Sequence, residues 1–184
     1  SASQLPKNKF IVGYTGTLGV ANAIDTLLDA AEQLKANTDL AFVLVGGGKE
    51  KAALQQRAKD KGLSNVIFID PIPKVEIQAM LSCFDVCYIG LTKDPLFRFG
   101  VSPNKLFDYL YSAKPIIYGI ESGEYRPVDE AKAGIQIPAQ EVSALVDAVI
   151  SLQESPEDQR QKMGLFGRAM AMDIYEYSEL AKSY

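Results

Sequence analysis

The residues best suited to chemistry sit together in one stretch, Arg98-Phe99-Gly100-Val101-Ser102-Pro103-Asn104-Lys105-Leu106-Phe107-Asp108-Tyr109. It reads as a glycine-containing loop running straight into a helix. Ser102 suits the N-cap, and Pro103 suits the first helical position, where its missing N–H costs nothing. Leu106, Leu110 and Ala113 recur at i, i+4, i+7 and give the helix one apolar face. Asn104, Lys105, Asp108 and Ser112 fall on the other side. Pro115 disfavours continuation, so the helix should stop near Lys114. A helix N-terminus with Arg98 and Gly100 before it and Lys105 one turn in suits an anion. Six residues at ~1.5 Å rise place Asp108 about 9 Å along the axis from Ser102. That matches the reach from a nucleotide's diphosphate to its ribose, where a carboxylate would accept from two vicinal hydroxyls. An ordinary capped helix with solvated charges fits the same residues, so the elements around the stretch must decide.

At 184 residues the chain fits one domain able to bury a substantial core. An apolar fraction of 47% and a charged fraction of 23% are those of a globular protein. A net charge of −4 argues against a general nucleic-acid surface, so any anion site must be local. There is no histidine, which removes Ser-His and Cys-His triads from this chain. Cys83 and Cys87 lack partner ligands nearby and read as two buried free thiols rather than a zinc site, and no metal is expected. No apolar run approaches the ~20 residues of a membrane span and no signal peptide is visible, which gives a cytoplasmic setting by default. Residues 1–9, Ser1-Ala2-Ser3 and then a polar Gln4–Lys9 segment, read as a tag remnant and linker. The domain proper should then run over 10–184.

Phe10–Tyr14, Leu40–Val45, Val66–Ile69, Asp85–Ile89, Pro115–Tyr118 and Gly134–Ile137 are short apolar runs and read as six strands. Helical segments are predicted over Ala21–Leu34, Lys49–Lys61 (closed by Gly62), Val75–Leu81, Glu124–Lys132 and Glu141–Gln153. Another runs from Pro156 to the end, weakened at Gly164 and Gly167. Apolar strands alternating with helices mean a parallel sheet covered on both faces. The expected fold is therefore an α/β, doubly wound Rossmann-like domain of about six strands in the order 3-2-1-4-5-6. Ligands in such folds sit beyond the carboxyl ends of the strands, near the switch between the first and fourth. The loops there are Thr15–Gly19 and Gly90–Ser102, so the opening stretch falls where the fold would place a ligand.

Gly13, Gly16 and Gly19 form G-x-x-G-x-x-G rather than the dinucleotide fingerprint, and the second strand ends in glycines instead of an acidic ribose ligand. A nicotinamide dehydrogenase is disfavoured. Gly46-Gly47-Gly48-Lys49 is not a P-loop, because Glu50 stands where a Mg²⁺-binding hydroxyl is needed. Gly13 is read as a close-packing residue, and Gly16 and Gly19 as points of backbone approach to a ligand. Tyr109 and Tyr111 are read as packing residues.

The arrangement resembles the C-terminal, donor-binding half of a GT-B retaining glycosyltransferase of family 4 (group 1), through nearly the whole chain. Gly13-Tyr14-Thr15-Gly16-Thr17-Leu18 is similar to the family's first strand and turn, and Val45-Gly46-Gly47-Gly48-Lys49-Glu50-Lys51 to its V-G-x-G-x-x-[KR]. Val66–Asp70 resembles the strand before the base-binding turn, and Phe84-Asp85-Val86 the family's A-D-V. Ser102-Pro103-Asn104-Lys105-Leu106-Phe107-Asp108-Tyr109 and Lys114-Pro115-Ile116-Ile117 are similar to S-P-x-K-x-x-E-Y and G-K-P-I-I. Tyr175-Glu176-Tyr177-Ser178 resembles the closing helix, which in the family crosses back onto the N-terminal domain.

The resemblance implies a nucleotide-diphosphate sugar, with UDP favoured, as donor substrate, no metal and no other cofactor. Asp108 stands where a glutamate binds the ribose, the amides of Gly100, Val101 and Ser102 match the diphosphate-binding helix start, Gly16 and Thr17 match the loop beside the sugar phosphate, and Ile72 matches the backbone contact to the base. Two departures stand out. The first glutamate of the Glu-x7-Glu pair falls on Gly100, and the basic pair usual after the first strand is absent, with Thr17 and Asn22 in that region. Positive charge for the leaving group then has to come from Lys105, Arg98 or Lys51, the first two being the candidates for catalysis. The resemblance also implies an acceptor site in an N-terminal domain outside this chain, with residues 170–184 packing on it. The acceptor would be a cell-surface polysaccharide or glycolipid, which is compatible with work at the cytoplasmic face of a membrane. A sugar-nucleotide 2-epimerase of the same architecture and a non-catalytic nucleotide-binding module remain as alternatives.

Overall fold

The computed structural model describes residues 2–93 and 103–183. Its strands are β1 (Phe10–Thr15), β2 (Leu40–Val45), β3 (Val66–Ile69), β4 (Val86–Gly90), β5 (Ile116–Gly119) and β6 (Gly134–Gln136). They form one parallel sheet in the order β3-β2-β1-β4-β5-β6, as the pattern of apolar runs predicts. β1 and β2 pair along their whole length, from Phe10 opposite Leu40 to Thr15 opposite Val45. Every residue of β2 is buried, which is why this strand carries no polar alternation.

The helices are α1 (Ile24–Gln33), α2 (Lys51–Asp60), α3 (Ile77–Leu81), α4 (Pro103–Tyr111), α5 (Pro127–Ala131), α6 (Val142–Glu154) and α7 (Glu157–Lys182). One face of the sheet, with Phe42, Leu44 and Tyr88, packs on Leu27, Leu28, Leu54, Leu145 and Leu152 from α1, α2 and α6. The other face, with Ile11, Val43 and Ile116, packs on Met80, Leu81, Leu106, Leu110, Val128 and Ala171 from α3, α4, α5 and α7. Two apolar layers on one sheet are the doubly wound solution to strands that are apolar on both sides. Leu5 in the leading segment is half-buried against the second layer.

Several helix boundaries differ from the sequence reading, each for a local reason. The first helix does not run from Ala21. A short 3-10 turn at Val20–Asn22 ends at Ala23, whose left-handed backbone (φ 54°) breaks the path before α1 starts. The predicted helix at Val75–Leu81 is likewise a 3-10 turn, Lys74–Glu76, followed by α3. Glu124–Lys132 shortens to α5, which starts at Pro127 in the N1 position. α4 ends at Tyr111, and Ala113 turns the chain with φ 59° before Pro115. Gly164 and Gly167 do not weaken the last helix, which runs unbroken from Glu157 to Lys182. They are where it touches the body: a Cβ on Gly164 would lie 1.9 Å from the Ala113 carbonyl oxygen, and one on Gly167 would lie 3.4 Å from Leu110. Of the two thiols only Cys87 is buried, and burial raises it to about 12. Cys83 is exposed just beyond α3, a correction to the reading of both as buried.

Candidate functional site

A cleft of about 420 Å³ opens beyond the carboxyl ends of β1, β2 and β3. Its walls are Gly16 and Thr17 after β1, Val45 and the glycines 46–48 after β2, and Pro71, Ile72 and Ile77 after β3. The β1 and β2 loops interlock rather than lie side by side. The Gly16 amide donates to the Val45 carbonyl at 2.9 Å, and the Leu18 amide donates to the Gly47 carbonyl at 2.8 Å. A Cβ on Gly46 would lie 1.8 Å from the Gly16 carbonyl oxygen, and one on Gly48 would lie 2.9 Å from that of Leu18. The glycines after β2 are therefore required by backbone-to-backbone contact, and the result is a fixed, mostly apolar wall. Leu18 is wholly buried and anchors the loop from below.

Lys105 brings positive charge to this edge. It projects from the first turns of α4 across the switch point between β4 and β1. A Cβ built on Gly16, where φ is +134°, would lie 2.6 Å from its Nζ. The ammonium donates to the Tyr14 hydroxyl at 2.8 Å and sits 4.3 Å from the centre of the Tyr14 ring. Tyr14 in turn donates its own proton to the Thr17 carbonyl at 2.6 Å. Burial pulls Lys105 down to about 8, while burial, with a smaller contribution from Tyr88, pushes the Tyr14 hydroxyl above its ordinary range. A desolvated ammonium beside a glycine loop is a strong attractor for an anion, because little water screens it.

Asp108 lies one turn further along α4, on the same side as Lys105. It is half-buried; burial raises its carboxyl and Lys74 opposes that rise. Its own backbone carbonyl accepts from the Gln78 side chain at 3.0 Å, which ties this turn of α4 to α3, the helix that contributes Ile77 to the cleft. Lys51 is placed differently. Its ammonium pairs with Asp70 at 2.8 Å, next to Pro71 on the rim, and the hydrogen bond it gives holds the Asp70 carboxyl below its usual range. Arg98, Gly100, Val101 and Ser102 lie outside the described residues.

The structure thus sets the Lys105 ammonium against Gly16, with Thr17 and Ile72 on the wall of the same cleft; Asp108 is not on that wall and is tied to it through α3, and Lys51 stands at the rim. Gly13 is a packing residue as expected, since a Cβ there would lie 2.2 Å from the Phe84 ring. Gly19 does not face the cleft. It lines a separate hollow with Asp25, Glu50 and Arg57 between α1 and α2. Tyr109 is buried and its hydroxyl accepts from the Thr15 amide at 3.1 Å; Tyr111 stacks on Phe107, with ring centres 6.2 Å apart. The sequence reading missed Tyr14 as the partner of Lys105 and Ile77 as a wall of the cleft. Its one available signal for Tyr14 was the position between Gly13 and Gly16.

Residues 9–155 match the profile of the family described as "Glycosyl transferases group 1". Over 106 residues the chain is 33% identical to the protein named "Putative colanic acid biosynthesis glycosyl transferase WcaI" of Escherichia coli (strain K12). That alignment takes in 58% of this chain but 25% of the relative, so the chain spans about a quarter of that protein. Among solved structures, a variant of S. aureus TarM determined with Fondaparinux, alpha-GlcNAc-glycerol and UDP superposes with a TM-score of 0.76 at 20% identity, covering 96% of this chain and 35% of that one. Anabaena HepE in complex with UDP-glucose superposes with a TM-score of 0.74 at 17% identity, covering 96% and 48%. At these identities the structural likeness is one of fold. Among the described residues no helix is long and apolar enough to cross a membrane.

Proposed function

The chain belongs to the group 1 glycosyl transferases, and from that premise we propose that it is the donor-binding half of a retaining enzyme of family 4 and GT-B architecture. The donor is a nucleotide-diphosphate sugar, with UDP the favoured nucleotide. The observation that carries this reading is the Lys105 ammonium held over Gly16 at the mouth of the cleft between the β1, β2 and β3 loops. The base lies on the apolar wall by Ile72, the ribose hydroxyls meet Asp108, and the diphosphate lies between Gly16 and the start of α4. UDP and UDP-glucose in the TarM and HepE structures support the choice of nucleotide.

Chemistry at such a site is mostly electrostatic. As the glycosidic bond breaks, negative charge grows on the diphosphate, and a fixed cation with little water around it stabilises that charge more than the ground state. Lys105 fills this role, with Arg98 as a second candidate. No metal is needed to neutralise the leaving group in this reading. The acceptor site lies in a preceding N-terminal domain, consistent with the 25% of the colanic-acid relative and the 35% and 48% of the TarM and HepE chains that this chain covers. The acceptor is a cell-surface polysaccharide or glycolipid, as the colanic-acid relative's name suggests.

Calorimetric titration of this chain with UDP, in EDTA and in Mg²⁺, tests the donor site; equal binding in both supports it. Transfer assays on a longer chain that includes the preceding domain, with the product's anomeric configuration read by NMR, test retention. A product that is a free or epimerised sugar nucleotide would point to the epimerase instead. Binding without turnover in the longer protein would point to a non-catalytic module.

A further inference from the structure

Lys105 does not reach Gly16 unaided. It is held through a short chain of hydrogen bonds to the loop it faces: ammonium to Tyr14 hydroxyl at 2.8 Å, and Tyr14 hydroxyl to Thr17 carbonyl at 2.6 Å. A phenol has one proton to give, and the Thr17 carbonyl takes it. The lone pairs of the Tyr14 oxygen are then left to receive the ammonium, so the direction of the chain is fixed. Tyr14 itself is immobile, a wholly buried side chain of the central strand β1. Its ring also lies 4.3 Å from the ammonium, in range of an attractive cation–π contact. Gly16 completes the arrangement, since any Cβ there would sit 2.6 Å from Nζ and 3.2 Å from the Tyr14 oxygen.

We propose that Tyr14 is a positioning residue of the diphosphate subsite: clamped on Thr17, its hydroxyl holds the Lys105 ammonium over Gly16 and so locks α4 to the β1 loop. This rests on the donor-site reading above. Tyr14 makes no contact with the nucleotide in this scheme and acts only through Lys105. Because the hydroxyl contributes to the placing of a charge, its loss should be felt by the phosphates and not by the nucleoside. Because both groups act as one unit, the loss should vanish once Lys105 is gone.

The test uses the unsubstituted chain, Tyr14→Phe, Lys105→Ala and the double variant, titrated with UDP and with uridine. Phenylalanine keeps the ring and its packing, so the fold should survive, and thermal melting checks this. Tyr14→Phe is expected to weaken UDP about tenfold, or about 1.4 kcal/mol, and uridine less than twofold. In the Lys105→Ala background it should do nothing further to UDP. Titration of Lys105 by NMR of labelled lysine side chains adds a readout that packing alone would not move. Its midpoint should fall in Tyr14→Phe, because an acceptor for the charged form is lost. UDP binding that is unchanged in Tyr14→Phe, equal losses for UDP and uridine, or additive losses in the double variant would each overturn the proposal. If the unsubstituted chain binds no UDP at all, the donor-site reading falls, and this one with it.

Discussion

Replacing Lys105 by methionine separates the function of its charge from its cost. Methionine keeps an unbranched apolar stem and removes the ammonium. In the folded chain burial holds this ammonium at about 8 rather than the ordinary 10.5. At ~1.36 kcal/mol per unit, that is about 3 kcal/mol of free energy spent on keeping the charge where it is. The sign is that of a depressed base. Below pH 8 the group is charged in both folded and unfolded chains and the full penalty applies; between pH 8 and 10.5 the unfolded chain holds more protons, so stability rises with pH. Lys105→Met should therefore be at least as stable as the parent at pH 7, and the parent should gain on it as pH rises from 8 towards 10. Binding should move the other way. An ammonium ~4 Å from a phosphate charge at an effective dielectric near 20 gains about 4 kcal/mol before water is accounted for, and a net ~1.5–3 kcal/mol remains for a charged hydrogen bond. UDP affinity should then drop by roughly 10- to 150-fold, with uridine unaffected. Calorimetry with the two ligands at pH 7, and urea unfolding at pH 7 and 9.5, give the whole comparison. Equal losses for UDP and uridine, or a variant clearly less stable than the parent at pH 7, would refute the reasoning.

Asp108→Ala should weaken UDP and uridine alike, by ~1.5–3 kcal/mol for a charged acceptor on the ribose; unchanged affinity in a folded variant, measured by the same calorimetry, would remove Asp108 from the site. Residues 170–184 should exchange amide hydrogens quickly in this chain, since Met172, Ile174, Tyr175, Tyr177 and Leu180 are all exposed and little beyond Ala171 is packed; strong protection in a monomer would count against a docking role for this face. Gly164→Ala should cost ~1–3 kcal/mol of stability through overpacking against the Ala113 carbonyl while leaving UDP affinity as it was, as denaturant titration and calorimetry would show.

The sheet was legible because each strand is an apolar run, and such runs have no stable place except between two helical layers. The position of the cleft followed from the fold, and the placing of Lys105 and Asp108 on one side of α4 followed from their i, i+3 spacing. Other features depended on contacts that local pattern does not carry. Ala23 adopts a left-handed backbone that an alanine pays for, and the Tyr88 hydroxyl from β4 braces its carbonyl at 3.3 Å. Gly164 and Gly167 looked like weak points in a helix and are instead where it packs against the Ala113 turn, Leu110 and Ala133. Cys83 and Cys87 share a spacing but not an environment, because the chain leaves α3 at Ser82 and enters the buried β4 only at Val86. Tyr14 and Lys105 are 91 residues apart, and nothing short of the strand order β1-β4 brings them together.

That last pairing also brings a cation to a loop that carries none of its own between Thr15 and Asn22. The Gly16–Gly19 part of it is bonded backbone to backbone to the turn after β2, with Gly46 against the Gly16 carbonyl. The loop instead carries Thr17 on the outside and buries Leu18, which fixes its backbone at no cost in charge. The cation is supplied from the opposite side of the switch point, by Lys105 of α4. One consequence is geometric. A charge delivered on a long side chain and held by Tyr14 can be aimed at the edge of Gly16 without widening the turn. A lysine introduced at Thr17 would start from an exposed position on the cleft wall, without the Tyr14 brace, so in the Lys105→Met background it should restore little of the UDP affinity; full recovery by calorimetry would show that a braced ammonium is not what the site requires.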